Sequence, residues 1–445
     1  PCSHLPQMAS FLFSSTIPIF FLILLFISFP PSQASVPSSQ TFKLINEGDF
    51  GDFIVEYGGN YRPLDIFSSP FQLCFYNTTP NAYTLALRMG LTRSESLFRW
   101  IWEANRGNPV GEKATFSLGT DGNLALADAN GRIAWLSNTA NKGVVGFKLL
   151  PTGNMVLHDA KGNFIWQSFD YPTDTLLVGQ YFRPNGPNKL VSRASDQVNA
   201  NGAYSLVLES RRLAMYYKSP KSPRPLLYYT IDTSSSSLKE ITFECTPVDE
   251  ENPYAYDITF AFQTADNQTG GSLEIARPKY NSTLSFLRLG MDGNLRVYTY
   301  SDKVDWGAWE VTFTLFARDS PYALWDTECQ LPQRCGDFGL CQDSQCVACP
   351  TPKGLLGWSK NCMQPKASCG NNVKYYKLEG VEHFLSKYTN GDGPITVDSC
   401  GQRCTKDCKC LGYFHHQKNS SCWIAYDLKT LTKSGNAKHV AYIKV

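Results

Sequence analysis

From Leu118 to Trp135 the chain reads L-G-T-D-G-N-L-A-L-A-D-A-N-G-R-I-A-W, and from Leu149 to Trp166 it reads L-L-P-T-G-N-M-V-L-H-D-A-K-G-N-F-I-W. Leu149, Asn154, Asp159, Gly162 and Trp166 each stand 31 residues after Leu118, Asn123, Asp128, Gly131 and Trp135. A constant offset places two copies of one small unit in equivalent positions in space. Trp102, in W-E-A-N-R, lies 33 residues before Trp135 and marks a third unit. Each unit is too small to bury its own apolar face. Three of them are expected to close into a three-fold β-prism with the tryptophans as a shared core on its axis. Such a fold presents shallow surface sites and no catalytic cleft.

The texture around the repeat agrees. Residues 42–168 consist of short alternating apolar and polar runs broken by Gly, Asn-Gly and Asp-Gly, with little helical periodicity. Residues 181–317 repeat that texture, with turn signals every 8 to 15 residues, as in a second sandwich or prism. The fold class is therefore all-β. Between the two stretches, W-Q-S-F-D-Y-P-T-D-T-L-L-V-G-Q (Trp166 to Gln180) has a turn fixed by Pro172, with Asp170 and Asp174 placed to cap backbone amides.

The first methionine, Met8, precedes a long apolar run ending at Pro30 and Pro31, and Ser32 and Ala34 supply small residues at −3 and −1. This reads as a secretory signal peptide cleaved after Ala34, with residues 1–7 as untranslated leader. No Lys or Arg precedes the apolar run, so an uncleaved anchor is the rival reading. No later stretch offers 18 consecutive apolar residues, and no membrane span is expected after cleavage. A formal charge of +2 gives no electrostatic case for nucleic acid or membrane. Fifteen cysteines imply an oxidising compartment. Sequons at Asn77, Asn267, Asn281 and Asn419 fit the secretory route.

Twelve of the cysteines lie after residue 328. Cys329, Cys335, Cys341, Cys346, Cys349 and Cys362 form one block, poor enough in apolar residues to need cross-links. Fifteen connectivities are open to six cysteines. Cys369, Cys400, Cys404, Cys408, Cys410 and Cys422 form the last block. There V-D-S-C-G-Q-R-C puts an Asp at a helix N-cap, with Cys400 and Cys404 one turn apart and facing one neighbour. In a secreted chain this cluster reads as disulfides rather than a metal site. His415 and His416, adjacent on a strand, point to opposite faces and make no metal pair.

W-E-A-N-R-G-N-P-V (Trp102 to Val110), the D-G-N-L repeat and W-Q-S-F-D-Y-P-T-D-T-L-L (Trp166 to Leu177) resemble the bulb-type, mannose-binding lectins of plants. The order of parts resembles the ectodomain of S-domain receptor kinases and S-locus glycoproteins. It implies two tandem β-prism lectin domains (42–168 and 169–317), an EGF-like module (329–365) and an α+β PAN, or apple, domain (369–445). No membrane span or kinase follows Val445, and F-Q-L-C-F-Y-N-T-T-P occupies Phe71 to Pro80. Both features narrow the resemblance to the epidermis-specific secreted glycoprotein group, which implies an apoplastic or cell-wall location. The EGF-like resemblance implies pairs 329/341, 335/346 and 349/362, although the fourth and fifth cysteines are separated by two residues where EGF usually has one. The PAN resemblance implies 400/422 and 404/410, leaving Cys369 to Cys408. Cys74 and Cys245 remain, as either a mutual bridge or one free thiol.

In that lectin family the mannose pocket reads Q-x-D-x-N-x-V-x-Y, and this chain holds no intact copy. The corresponding positions are Gly119, Asp121, Asn123, Ala125 and Ala127 in the first repeat. They are Leu150, Thr152, Asn154, Val156 and His158 in the second, and Gly290, Asp292, Asn294, Arg296 and Tyr298 in the second domain. The resemblance thus implies carbohydrate contacts at Asp121, Asn123, Asp292, Asn294 and Tyr298, the last three being the fuller set, with Arg296 suited to an acidic sugar. Each lost polar contact costs about 1 kcal/mol, so two or three losses weaken binding roughly tenfold to several hundredfold. The rival reading is that Asp-Gly-Asn and Thr-Gly-Asn merely form turns.

Trp306, Trp309, Trp325, Trp358 and Trp423 are not locked to the repeat and are candidates for exposure. G-x-S-x-G, H-E-x-x-H and phosphate-binding loops are absent, and Asp232, Glu240, Glu244 and Asp249 read as solvated charges. No catalytic residue, metal or cofactor is expected. The chain reads as a secreted, non-enzymatic, lectin-like glycoprotein that binds cell-wall glycans through degenerate sites. The alternative is a module that has lost sugar binding and recognises an extracellular protein, whether a receptor, an enzyme or a second copy in a homodimer.

Overall fold

The computed structural model describes residues 35–445 except 93–96, 233–235, 250, 252–254, 267–269, 279–280, 319–325 and 371. The expected signal segment, the Asn267 sequon and Trp325 lie outside the described residues. Those described are predominantly β.

Three antiparallel sheets share the first core. One contains Asn60–Ser68, Phe71–Asn77, Thr84–Met89 and Arg99–Glu103. The next contains Phe42–Ile45, Thr115–Leu118, Leu124–Ala127 and Ile133–Leu136, and the third Gly146–Leu149, Met155–His158 and Phe164–Gln167. The repeat is visible in their register. Leu118 faces Leu124 and Leu126 faces Trp135, with a bulge after Leu126; 31 residues on, Leu149 faces Met155 and Leu157 faces Trp166, with a bulge after Leu157. Gly122 and Gly153 turn the two hairpins at φ of +83° and +82°, where a side chain would be strained. In the remaining sheet Leu87 faces Trp102, again beside a bulge. Three leucines thus aim three tryptophans inward. Trp102, Trp135 and Trp166 close a triangle of edge-to-face contacts with ring centroids 5.7 to 6.3 Å apart.

A second set of three four-stranded sheets, one strand from each being Leu295–Tyr300, Tyr256–Thr264 and Asn201–Leu208, surrounds its own core. Leu206, Met215, Phe243, Phe260, Leu287 and Val297 meet there. Phe286 and Tyr300 of this set pack into the first core instead, joining the two units through apolar contact.

The two cysteine-rich blocks share one sheet. Phe338–Gln342 runs parallel to Lys429–Lys433, giving a five-stranded sheet in the order Gly354–Gly357, Gln345–Thr351, Phe338–Gln342, Lys429–Lys433, Val381–His383. Phe338, Leu340, Phe414, Trp423 and Leu431 form its core. Disulfides join Cys329–Cys341, Cys335–Cys346 and Cys349–Cys362 in one block, and Cys369–Cys408, Cys400–Cys422 and Cys404–Cys410 in the other.

Some sequence expectations are corrected. The N-cap of helix Val397–Lys406 is Thr396, whose hydroxyl accepts from the Ser399 amide at 3.2 Å; Asp398 falls in the first turn, where its charge still suits the helix dipole. Cys74 and Cys245 are both free, the first fully buried and the second 3.2 Å from the Ser282 hydroxyl. Asp170 and Asp174 take side-chain donors rather than capping amides: the Tyr181 hydroxyl reaches Asp170 at 2.7 Å and Arg106 reaches Asp174 at 2.9 Å.

Candidate functional site

The asparagine of each repeat does the same work. Asn123 Oδ1 accepts from the Thr139 amide at 3.0 Å, Asn154 Oδ1 from the Phe169 amide at 3.3 Å and Asn294 Oδ1 from the Phe316 amide at 3.1 Å. Each ties its turn to backbone that would otherwise carry a buried, unpaired donor. Asn294 completes the exchange by donating to the Phe316 carbonyl at 2.9 Å, and it is only 1 % exposed. Asp121 and Asp292 each accept from the amide two residues on, at 3.1 and 3.0 Å. Both aspartates are exposed at the surface.

Of the five candidate residues, Asp121 and Asn123 lie in the first unit and the other three in the second. Asp292 and Tyr298 stand together with Arg296, while Asn294 turns inward. Arg296 grips Asp292 through two hydrogen bonds of 3.0 and 2.6 Å, so it is already paired rather than free for an acidic sugar. The surrounding protein shields the 45 % exposed Asp292 side chain from part of the solvent, which would raise its pKa, but the Arg296 bonds outweigh this and hold the carboxyl below its ordinary value. The Tyr298 ring stacks on Phe286 at 5.2 Å and carries the Arg99 guanidinium 4.5 Å from its centre.

These residues border a cavity of about 360 Å³ in the seam between the two units, closed from the other side by Glu56, Tyr57, Asp174, Arg193 and Arg288. The seam is ionic. Arg288 donates to both Glu56 oxygens at 2.8 and 3.0 Å, and also to the Trp100 carbonyl. Arg106 bridges Glu103 and Asp174 at 2.5 and 2.9 Å, while Arg193 bonds the Tyr76 hydroxyl at 2.7 Å. Burial alone would lower the Arg288 pKa, but Glu56, Tyr57 and Asp174 outweigh it and hold the guanidinium charged. Asp174 is held below its ordinary value in the same way, with Arg106 and Arg288 overcoming the burial that would raise it. Tyr57 has φ of +66° and lies beneath the Arg193 guanidinium at 4.3 Å.

Sequence reading missed this network, although its parts sit in the motifs already singled out. Trp102 donates to the Tyr171 carbonyl at 2.9 Å, and Arg106 reaches Asp174. W-E-A-N-R and W-Q-S-F-D-Y-P-T-D-T are therefore two halves of one junction. Among the other expected sites, Asn281 and Asn419 are exposed, whereas Asn77 is 6 % exposed, beside Thr78, whose hydroxyl donates to the Gln197 carbonyl. Among the described residues no three metal-binding side chains converge, and no helix is long and apolar enough to cross a membrane.

A sequence profile described as D-mannose binding lectin matches residues 100–195, the stretch that holds both halves of that junction. EP1-like glycoprotein 4 of Arabidopsis thaliana is 50% identical over 437 residues, covering 97% of this chain and 97% of its own length. The epidermis-specific secreted glycoprotein EP1 of Daucus carota is 56% identical over 362 residues, 78% of this chain and 92% of its own. More distantly, the G-type lectin S-receptor-like serine/threonine-protein kinase SD2-5 of Arabidopsis thaliana is 26% identical across 83% of this chain and 43% of that protein.

Proposed function

The chain belongs to the EP1-like, epidermis-specific glycoprotein family, and from that premise we propose that it is a secreted, non-enzymatic protein of the plant cell wall that binds glycan weakly. The surviving contact is the Asp292–Arg296–Tyr298 cluster at the mouth of the seam cavity. The observation that carries this reading is the cluster itself, in which an exposed carboxylate, its paired guanidinium and a half-buried tyrosine converge beside a cavity inside a lectin-family chain. Asp121 in the first unit offers a lesser contact, since Ala125 and Ala127 flank it with nothing polar.

One observation favours a second reading. The asparagine of every repeat is engaged with backbone, which removes one sugar ligand from each motif. In that reading the faces recognise an extracellular protein or a second copy of the chain.

A glycan array that includes mannans, pectic fragments and xyloglucan separates the two. Retention on one sugar class, competed by the matching free sugar and weakened at least about tenfold by Asp292→Ala or Tyr298→Ala, supports the first reading. Silence across the array overturns it in favour of protein recognition. Release of reducing ends from wall polysaccharide would overturn the non-enzymatic part.

A further inference from the structure

A trough of about 1,400 Å³ opens between the outermost strands of two sheets in the second unit, Gly270–Ala276 and Trp309–Thr314. It is larger than the roughly 300–1,000 Å³ of sites for single small ligands, so its shape suits an extended occupant. Its lining carries the hydroxyls of Ser69 and Ser301, both exposed, and of Thr312 and Thr314, both half-buried, with Thr312 held 3.0 Å from the buried Thr299 beneath. Along one side Trp306 is 71 % exposed, beside Val304 and Val311, which are also exposed. An aromatic face next to a row of hydroxyls is a surface for a sugar chain: the ring packs on apolar C–H faces and the hydroxyls pair with hydroxyls.

The lining also includes Asn281, the acceptor of an Asn-Ser-Thr sequon. Its Oδ1 accepts from the Thr283 amide at 2.9 Å and from the Thr283 hydroxyl at 2.8 Å, leaving Nδ2 without a hydrogen bond among the described residues and open to attachment. Attachment joins Nδ2 to sugar C1 of a lipid-diphosphate-linked oligosaccharide; the lipid diphosphate leaves and the displaced amide proton passes to solvent.

We propose that the oligosaccharide carried by Asn281 folds back into this trough and covers Trp306. A glycan anchored at the rim has an effective concentration of about millimolar, so even a weak stacking contact is occupied, and a free chain must compete with it. Asn419 supplies the contrast, since it stands on an exposed turn held by His416 and Ser421. This inference does not depend on external glycan binding at Asp292.

The test uses the full secreted chain, produced with mannosidase inhibited so that every glycan remains oligomannose. Endoglycosidase cleavage is followed at each site by glycopeptide mass spectrometry. In the native protein Asn281 is expected to be trimmed at least about tenfold more slowly than Asn419, with the two rates equal after denaturation. Trp306→Ala should bring the native Asn281 rate up to that of Asn419. In the unsubstituted protein, forced trimming should raise quenching of tryptophan fluorescence by acrylamide. An unoccupied Asn281, equal native rates, or protection that survives Trp306→Ala would each overturn the proposal. So would binding of a wall polysaccharide to the fully glycosylated protein that Trp306→Ala abolishes, which would give the trough to an external chain.

Discussion

Asn294 illustrates how one residue type serves two chemistries. Its amide donates to and accepts from the Phe316 backbone, and at 1 % exposure its remaining N–H and lone pair are out of reach of a sugar hydroxyl. Asn294→Ala leaves a buried N–H and a buried C=O unpaired and should destabilise the protein by about 1–3 kcal/mol, read as a lower denaturant midpoint. A glycan-binding loss with an unchanged midpoint would contradict the backbone role. The repeat made Asn123, Asn154 and Asn294 legible as turn residues, but their acceptor roles were not, because the partners Thr139, Phe169 and Phe316 lie beyond the local motif. Sequons show a similar limit. The Asn77 motif is identical in kind to the others, yet Asn77 is 6 % exposed and Thr78 donates to the Gln197 carbonyl at 3.0 Å. Glycopeptide mapping is expected to find sugar on Asn281 and Asn419 and none on Asn77, since its buried side chain leaves no room for a glycan in the fold.

At the scale of elements, the parallel pairing of Phe338–Gln342 with Lys429–Lys433 fuses two cysteine-rich blocks that sequence reading kept apart. Cysteine density revealed the blocks. Their pairing left no local trace, because the strands meet across most of the C-terminal region and only one carries a cysteine. Leu431 is fully buried between them, so Leu431→Ala should cost about 2–5 kcal/mol and expose both blocks to limited proteolysis together rather than one before the other. The same region carries a pH dependence. His383 is buried, donates from Nε2 to the Asp427 carbonyl at 3.0 Å and accepts the Leu385 amide at Nδ1, capping helix Phe384–Tyr388. Burial lowers its pKa from 6.5 to about 4. A depressed histidine is neutral in the fold and protonates more readily when unfolded, so its contribution is complete above pH 6.5 and is lost as pH falls toward 4. About 1.4 kcal/mol should be gone by roughly pH 5.5, and His383→Gln should flatten that part of the stability profile.

For the whole molecule, the seam decides whether the two β units behave as two bodies or one. The strand alternation was legible because it arises within one repeat, and the tryptophan triangle because its corners recur at a nearly constant offset. The seam was not, since Glu56, the Glu103–Arg106 pair, Asp174, Arg193 and Arg288 come from distant segments and their three positive and three negative charges cancel in any count of composition. Glu56 and Arg288 are each 6 % exposed, so neither can be stripped of its partner cheaply. Arg288→Met removes two charge-assisted bonds to Glu56, which keeps Arg99 at 2.5 Å, and should cost about 2–3 kcal/mol, with calorimetry resolving the single transition of the paired units into two. Adding Glu56→Gln keeps an acceptor for the Trp100 amide, which Glu56 holds at 3.0 Å, but takes from Arg99 its ion pair. The double variant should therefore lose less than the sum of the losses of Arg288→Met and Glu56→Gln made singly. Strictly additive losses would mean that the pair does not join the units, and the apolar contact through Phe286 and Tyr300 would then have to hold them alone.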